Sequence, residues 1–69
     1  MRYTIECEME DDGRWLAEVR ELAGVQAYAA TAEAATSKVE ILALRVLADR
    51  LEHGEVKPLD INISIPAVA

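Results

Sequence analysis

The sequence holds one cysteine, one histidine, two prolines, three glycines and no phenylalanine in 69 residues. Each shortage removes a class of structure or chemistry. A lone Cys7 allows no internal disulfide and no cysteine-based zinc site. A lone His53 rules out histidine pairs as metal ligands and argues against a histidine-centred catalytic site. Gly13, Gly24 and Gly54 stand far apart, so no glycine-rich loop exists to cradle a phosphate. Basic residues are also few. Seven are scattered at Arg2, Arg14, Arg20, Lys38, Arg45, Arg50 and Lys57 against thirteen acids, a net charge of −6. Phosphate backbones repel such a surface, which disfavours direct nucleic-acid binding. A basic protein is the natural electrostatic complement, although acidity of this size also serves plain solubility.

Long apolar runs are missing as well. No stretch approaches the ~20 residues of a membrane-spanning helix. The opening Met1-Arg2-Tyr3-Thr4 alternates polar with apolar at once, without the apolar core of a signal peptide, so a cytoplasmic protein is expected. The length leads us to expect one domain, residues 1–69, and no separate DNA-binding domain. A domain this small buries only about 60% of its unfolded surface. With neither disulfide nor metal to staple it, oligomerisation or a partner protein is the remaining source of stability.

What is present is one long helix signal, Thr31 to His53. Thr31 can cap the first turn through its hydroxyl, and Glu33 meets the positive end of the helix dipole. Ala, Leu, Glu, Lys and Arg fill a run free of Pro and Gly. Gly54 can take the left-handed position that ends a helix. Such a helix would be about 33 Å long. Its apolar surface exceeds what one sheet contact needs. Ala35, Val39, Leu42 and Val46 form a stripe with Ala43, Leu47 and Leu51 beside it, but Ile41, Leu44 and Ala48 continue round the cylinder. The polar arc that remains, Lys38, Arg45, Asp49 and Glu52, is narrow, where a surface helix normally shows a broad one. Either a later segment covers the far side or another chain does. We favour the second, with Ile41, Leu44 and Ala48 as the self-association residues of a dimer or larger homo-oligomer.

Four strands surround this helix in sequence. Tyr3, Ile5, Cys7 and Met9 alternate with Thr4, Glu6, Glu8 and Glu10, the period of a strand with its odd residues inward. Trp15, Ala17 and Val19 supply the apolar parity of a second strand. A two-residue turn at Asp12-Gly13 would set Cys7 against Glu18 and mix the faces. A three-residue turn, Asp11-Asp12-Gly13, instead pairs Met9 with Trp15, Cys7 with Ala17 and Ile5 with Val19, and places Gly13 where a left-handed residue is needed. Val25, Ala27 and Ala29 make a weaker third strand after a turn at Glu21-Leu22-Ala23-Gly24. Leu59, Ile61, Ile63 and Ile65 alternate with Asp60, Asn62 and Ser64 as a fourth, ended by Pro66. A helix before it allows parallel pairing with the first strand. The predicted fold is α+β, a β-β-β-α-β two-layer sandwich with one long helix on a mostly antiparallel sheet.

No catalytic constellation emerges. Cys7 carries the inward parity and is flanked by Glu6 and Glu8, the wrong setting for a reactive thiol. Thr36 and Ser37 have no base beside them. His53 sits in the last turn, suited to capping. A metal-dependent enzyme would need Glu6, Glu8 and Asp11 to converge, yet the first two point outward from a strand and the third lies in a turn. We therefore expect no enzyme, no cofactor and no metal site. The chosen register puts Glu6 opposite Glu18 with Glu8 nearby. This is either a solvated acidic face or a docking surface for a basic partner.

With these elements in order, the chain resembles the HicB family of type II antitoxins. The resemblance rests on YTIECEMEDDGRWLAEVREL at residues 3–22, on Val19, Leu22 and Gly24 as a Val-x-x-Leu-x-Gly stretch, and on Thr31-Ala32-Glu33-Ala34-Ala35 opening the helix. It covers roughly Met1 to Gly54. The chain departs from the family pattern in lacking prolines near Glu21 and Ala23, a cysteine near Val25, a glycine at Ala30 and a second acid at Ala34. The resemblance implies a domain similar to part of a ribonuclease H fold without its catalytic acids. It also implies a partner, a small basic (HicA-like) toxin that cleaves messenger RNA and is masked by the antitoxin. Operator binding would then be indirect. An orphan structural or ligand-binding homo-oligomer of the same fold is the alternative.

Overall fold

The computed structural model describes residues 2–55 and the strand at 62–64. The elements run β1 (Arg2–Met9), β2 (Trp15–Val19), β3 (Gln26–Ala29), α1 (Ala32–Glu52) and β4 (Asn62–Ser64), an α+β fold of the expected order. The sheet order is β3-β2-β1-β4. β1 and β2 pair antiparallel, as do β2 and β3, whereas β4 runs parallel to β1 through the pair Tyr3 and Ile63. Leu59, Ile61 and Ile65 of the expected fourth strand lie outside the described residues.

The first hairpin has the predicted register. Met9 faces Trp15, Cys7 faces Ala17 and Ile5 faces Val19. The Glu10 amide donates to the Arg14 carbonyl at 2.7 Å and the Gly13 amide to the Glu10 carbonyl at 3.0 Å, with Gly13 at φ +87°. That left-handed value suits a residue without Cβ, which is why a glycine ends the three-residue turn. The second turn, at residues 20–24, is knotted by three bonds. Val19 N donates to Val25 O, Leu22 N to Val19 O and Val25 N to Leu22 O. Because these bonds occupy Val25, β3 begins one residue later than its apolar pattern suggested.

Helix α1 begins and ends as its sequence requires. The Thr31 hydroxyl accepts from the Ala34 amide at 3.1 Å. At the other end Gly54 adopts φ +69°, its amide donates to Leu51 O at 3.2 Å, and the Glu55 amide reaches back to Arg50 O at 2.8 Å. These two bonds form a Schellman cap that satisfies carbonyls the helix leaves open.

The helix lies on one face of the sheet. Tyr3, Ile5, Ala17, Val19, Leu22, Val25, Ala35, Val39, Ala43 and Leu47 form the buried core, flanked by half-buried Cys7, Trp15, Ala27, Ala29, Leu42 and Val46. Three expectations need correction. Met9 was expected inward but is 59% exposed. The Cys7 sulfur sits 3.8 Å from the Ala32 carbonyl, so the first turn of α1 covers Cys7 and the hairpin projects past it. One rung further on, no described residue covers Met9. Leu51, expected beside the core stripe, is 39% exposed, since at about 100° per residue it falls with Ile41 and Leu44 on the side of the helix turned from the sheet. Leu22, read only as part of a turn, is buried to 1% exposure and plugs the end of the core.

Truncating Leu22 to Ala should destabilise the fold by about 2–5 kcal/mol, the cost of emptying a core site. Met9→Ala, on the same inward parity by sequence, should change stability by less than about 0.5 kcal/mol. Urea denaturation of the two variants distinguishes the observed core from the one expected by alternation alone.

Candidate functional site

Because α1 covers one face of the sheet, the described residues place nothing over the other. That outer face carries the even-numbered residues of β1 and β2. Glu6 pairs across with Glu18, Glu8 with Leu16, Leu16 with Tyr28 and Glu18 with Gln26. Glu6 and Glu8 are exposed and Glu18 is half-buried, so the three acids singled out from the sequence share one surface. Together with Cys7, Leu16 and Arg20 they line a shallow depression of about 130 Å³.

Two acids directly opposite each other should repel. Arg20 answers that repulsion, with its Nε 2.9 Å from Glu6 Oε2 and 3.5 Å from Glu18 Oε1. Sequence reasoning missed this residue. The signal was there, since Arg20 is the next outward position after Glu18 and lies diagonal to Glu6, within reach of a long side chain. All three side chains face water, so each pair contributes at most about 1 kcal/mol. The face thus remains acidic, with three carboxylates against one guanidinium.

At the hairpin end, Arg14 lies 4.4 Å from the centre of the Tyr28 ring, a cation–π contact. Its Nε also donates to Asp12 Oδ2 at 2.8 Å, and its amide donates to Asp12 Oδ1 at 3.0 Å. These groups, with Glu10 and Asp11, border a second open depression of about 310 Å³.

The self-association residues proposed from sequence lie on the helix surface turned away from the sheet. Ile41 and Leu44 are each 51% exposed, and Ala48 is exposed beside them. Leu51 extends the patch by one more turn.

The remaining reactive groups are dispersed. Cys7 is half-buried under the start of the helix. The Thr36 hydroxyl is enclosed with no hydrogen-bond partner among the described residues, and Ser37 is exposed. Glu6 and Glu8 belong to the outer sheet face whereas Asp11 belongs to the hairpin turn, so these acids do not converge. His53 is the helix C-cap, with its Nδ1–H donating to the Asp49 carbonyl at 2.8 Å. Asp49, His53 and Glu55 bring potential ligand atoms within 4.8 Å of one another, all exposed. They are the described group that could meet a metal ion. Its members are already used in part, since His53 caps the helix and lies 3.5 Å from the Asp49 carboxylate. No described helix is long and apolar enough to cross a membrane.

Asp12 departs from its ordinary titration. The Arg14 amide first, and the Arg14 guanidinium second, hold Asp12 below the usual carboxylate range. A lowered folded-state pKa stabilises the fold above the unfolded pKa, and the stability is lost as pH falls through the lowered value. An NMR titration should find Asp12 changing protonation at lower pH than an unstructured aspartate. Arg14→Ala should raise that midpoint only part of the way, because the amide remains.

No family model, curated protein or solved structure matches this chain.

Proposed function

We propose that this chain is an antitoxin-like protein-binding module that masks a small basic toxin, HicA-like in kind, which cleaves messenger RNA in the cytoplasm. The observation that carries the reading is the sheet face that no described residue covers, with Glu6, Glu8 and Glu18 on one surface. Such a face suits a cationic partner because complementary charge speeds encounter and fixes orientation. Arg20 does not block it. The Arg20 pairs are exposed and individually weak, so an incoming Lys or Arg can displace Arg20 at little cost. Leu16 and Tyr28 add apolar and aromatic surface between the charges, the mixture that interface centres favour. Masking of this kind needs no reagent from the chain. It requires only a surface that covers the toxin's own RNA-binding site, and the antitoxin's acidic character keeps RNA itself away.

A second reading, an orphan homo-oligomer without a toxin, is favoured by the exposure of Ile41 and Leu44. Co-expression separates the two. Co-expressed with a small basic, messenger-RNA-cleaving toxin of the HicA kind, the wild-type chain should restore growth. Replacing Glu6, Glu8 and Glu18 with Lys should weaken binding by about tenfold or more, chiefly in the association rate, and the difference should shrink as salt is raised. No complex and no rescue by the wild-type chain would remove the toxin-masking reading and leave the orphan one.

A further inference from the structure

We propose that the outer face of α1 pairs with the same face of a second copy of this chain, the two helices running parallel. The inference stands on the helix alone and does not depend on the toxin reading. Ile41, Leu44, Ala48 and Leu51 are spaced three, four and three residues apart, the a and d positions of a heptad. On a helix of 3.6 residues per turn they fall within an arc of roughly 80°. Ala34 and Ser37, small and exposed, continue the seam toward the N-terminus. The buried stripe Ala35, Val39, Ala43 and Leu47 is centred about 140° round the helix from the seam, with Leu47 at its near edge. A second helix can therefore dock on the seam without touching the sheet, giving four layers in the order sheet, helix, helix, sheet.

The residues beside the seam decide what docks and in which direction. Glu40 precedes the central part of the seam on one flank and Arg45 lies on the other, and neither side chain has an ion pair or hydrogen bond among the described residues. In a parallel pair of helices, a residue at position g faces position e of the next heptad on the other chain. Glu40 then meets the partner's Arg45, and the two-fold axis repeats the contact. Glu33 meets the partner's Lys38 in the same way. Lys38 already donates one of its three hydrogens to the Tyr28 carbonyl at 3.3 Å and keeps two for this contact. An antiparallel pair would match Lys38 with the partner's Glu52 but set the two Arg45 side chains against each other and leave Glu40 alone. Within a parallel pair, Ile at a followed by Leu at d also favours two helices over three or four. The chain thus supplies its own complement, apolar seam to apolar seam and acid to base.

The seam from Ile41 to Leu51 is only about 15 Å long. It buries less than the ~800 Å² per partner of a standard interface, so the dimer forms and dissociates with concentration. In this arrangement the two acidic sheet faces point outward on opposite sides.

Sedimentation equilibrium of the full chain alone, from low micromolar to submillimolar concentration, tests the proposal. A reversible monomer–dimer equilibrium is expected. Leu44→Glu should leave only monomer, with circular dichroism confirming that this exposed substitution spares the fold. Glu40→Arg and Arg45→Glu should each weaken the dimer by about tenfold, by turning attraction into repulsion at two symmetric contacts. The double variant Glu40→Arg/Arg45→Glu should recover most of the loss. A strictly monomeric wild-type chain overturns the proposal, as does a dimer that Leu44→Glu leaves intact. A dimer indifferent to Glu40→Arg overturns the parallel arrangement. Each readout uses this chain by itself, so none of them bears on whether a toxin binds the sheet.

Discussion

Ala35, Val39, Ala43 and Leu47 pack against Tyr3, Ile5, Ala17 and Val19, and the rest of the molecule is arranged by that contact. Alanines on both sides, Ala17 from the sheet and Ala35 and Ala43 from the helix, let the two layers lie close. Larger residues at the edges, such as Leu22 and Val25, close the ends. Apolar burial of this kind is the main favourable term in folding. A chain of 69 residues has room for one such layer of contact and no second.

Among the described residues this single contact layer leaves two open sides, and both carry features that a merely soluble surface does not require. The far face of the sheet collects carboxylates at Glu6, Glu8 and Glu18, with Arg20 as their local counter-ion. The far face of the helix keeps Ile41 and Leu44 half exposed. The scaffold is therefore organised as two outward surfaces of different chemistry, one charged and one apolar. They sit on opposite sides of one core, so occupying one leaves the other accessible. This separation makes it physically reasonable for one small domain to meet a cationic protein and its own copy together.

Much of this was legible before the structure. The hairpin register followed from parity alone, because sliding β2 by one residue would have turned Ala17 and Val19 to water. The helix boundaries followed from Thr31 and Gly54, whose side chain and missing side chain satisfy the open ends. The shared placement of Glu6, Glu8 and Glu18 came with the register. Arg20 was overlooked because its role depends on a diagonal contact between strands rather than on its own strand's pattern. Met9 was misplaced for a related reason. Periodicity tells which way a side chain points, but not whether anything lies there to cover it.

Local chemistry in the sequence determined the elements, their order, the turn at Gly13, the helix caps and the face each strand residue occupies. These depend on neighbours a few residues apart, through backbone sterics, capping and the two- or 3.6-residue period. The tertiary structure alone decided where the helix starts and stops over the sheet. That placement buries Cys7 in part while leaving Met9 open, and draws Leu22 into the core. Burial depends on the relative position of two elements brought together from distant parts of the chain, and no local pattern encodes that offset.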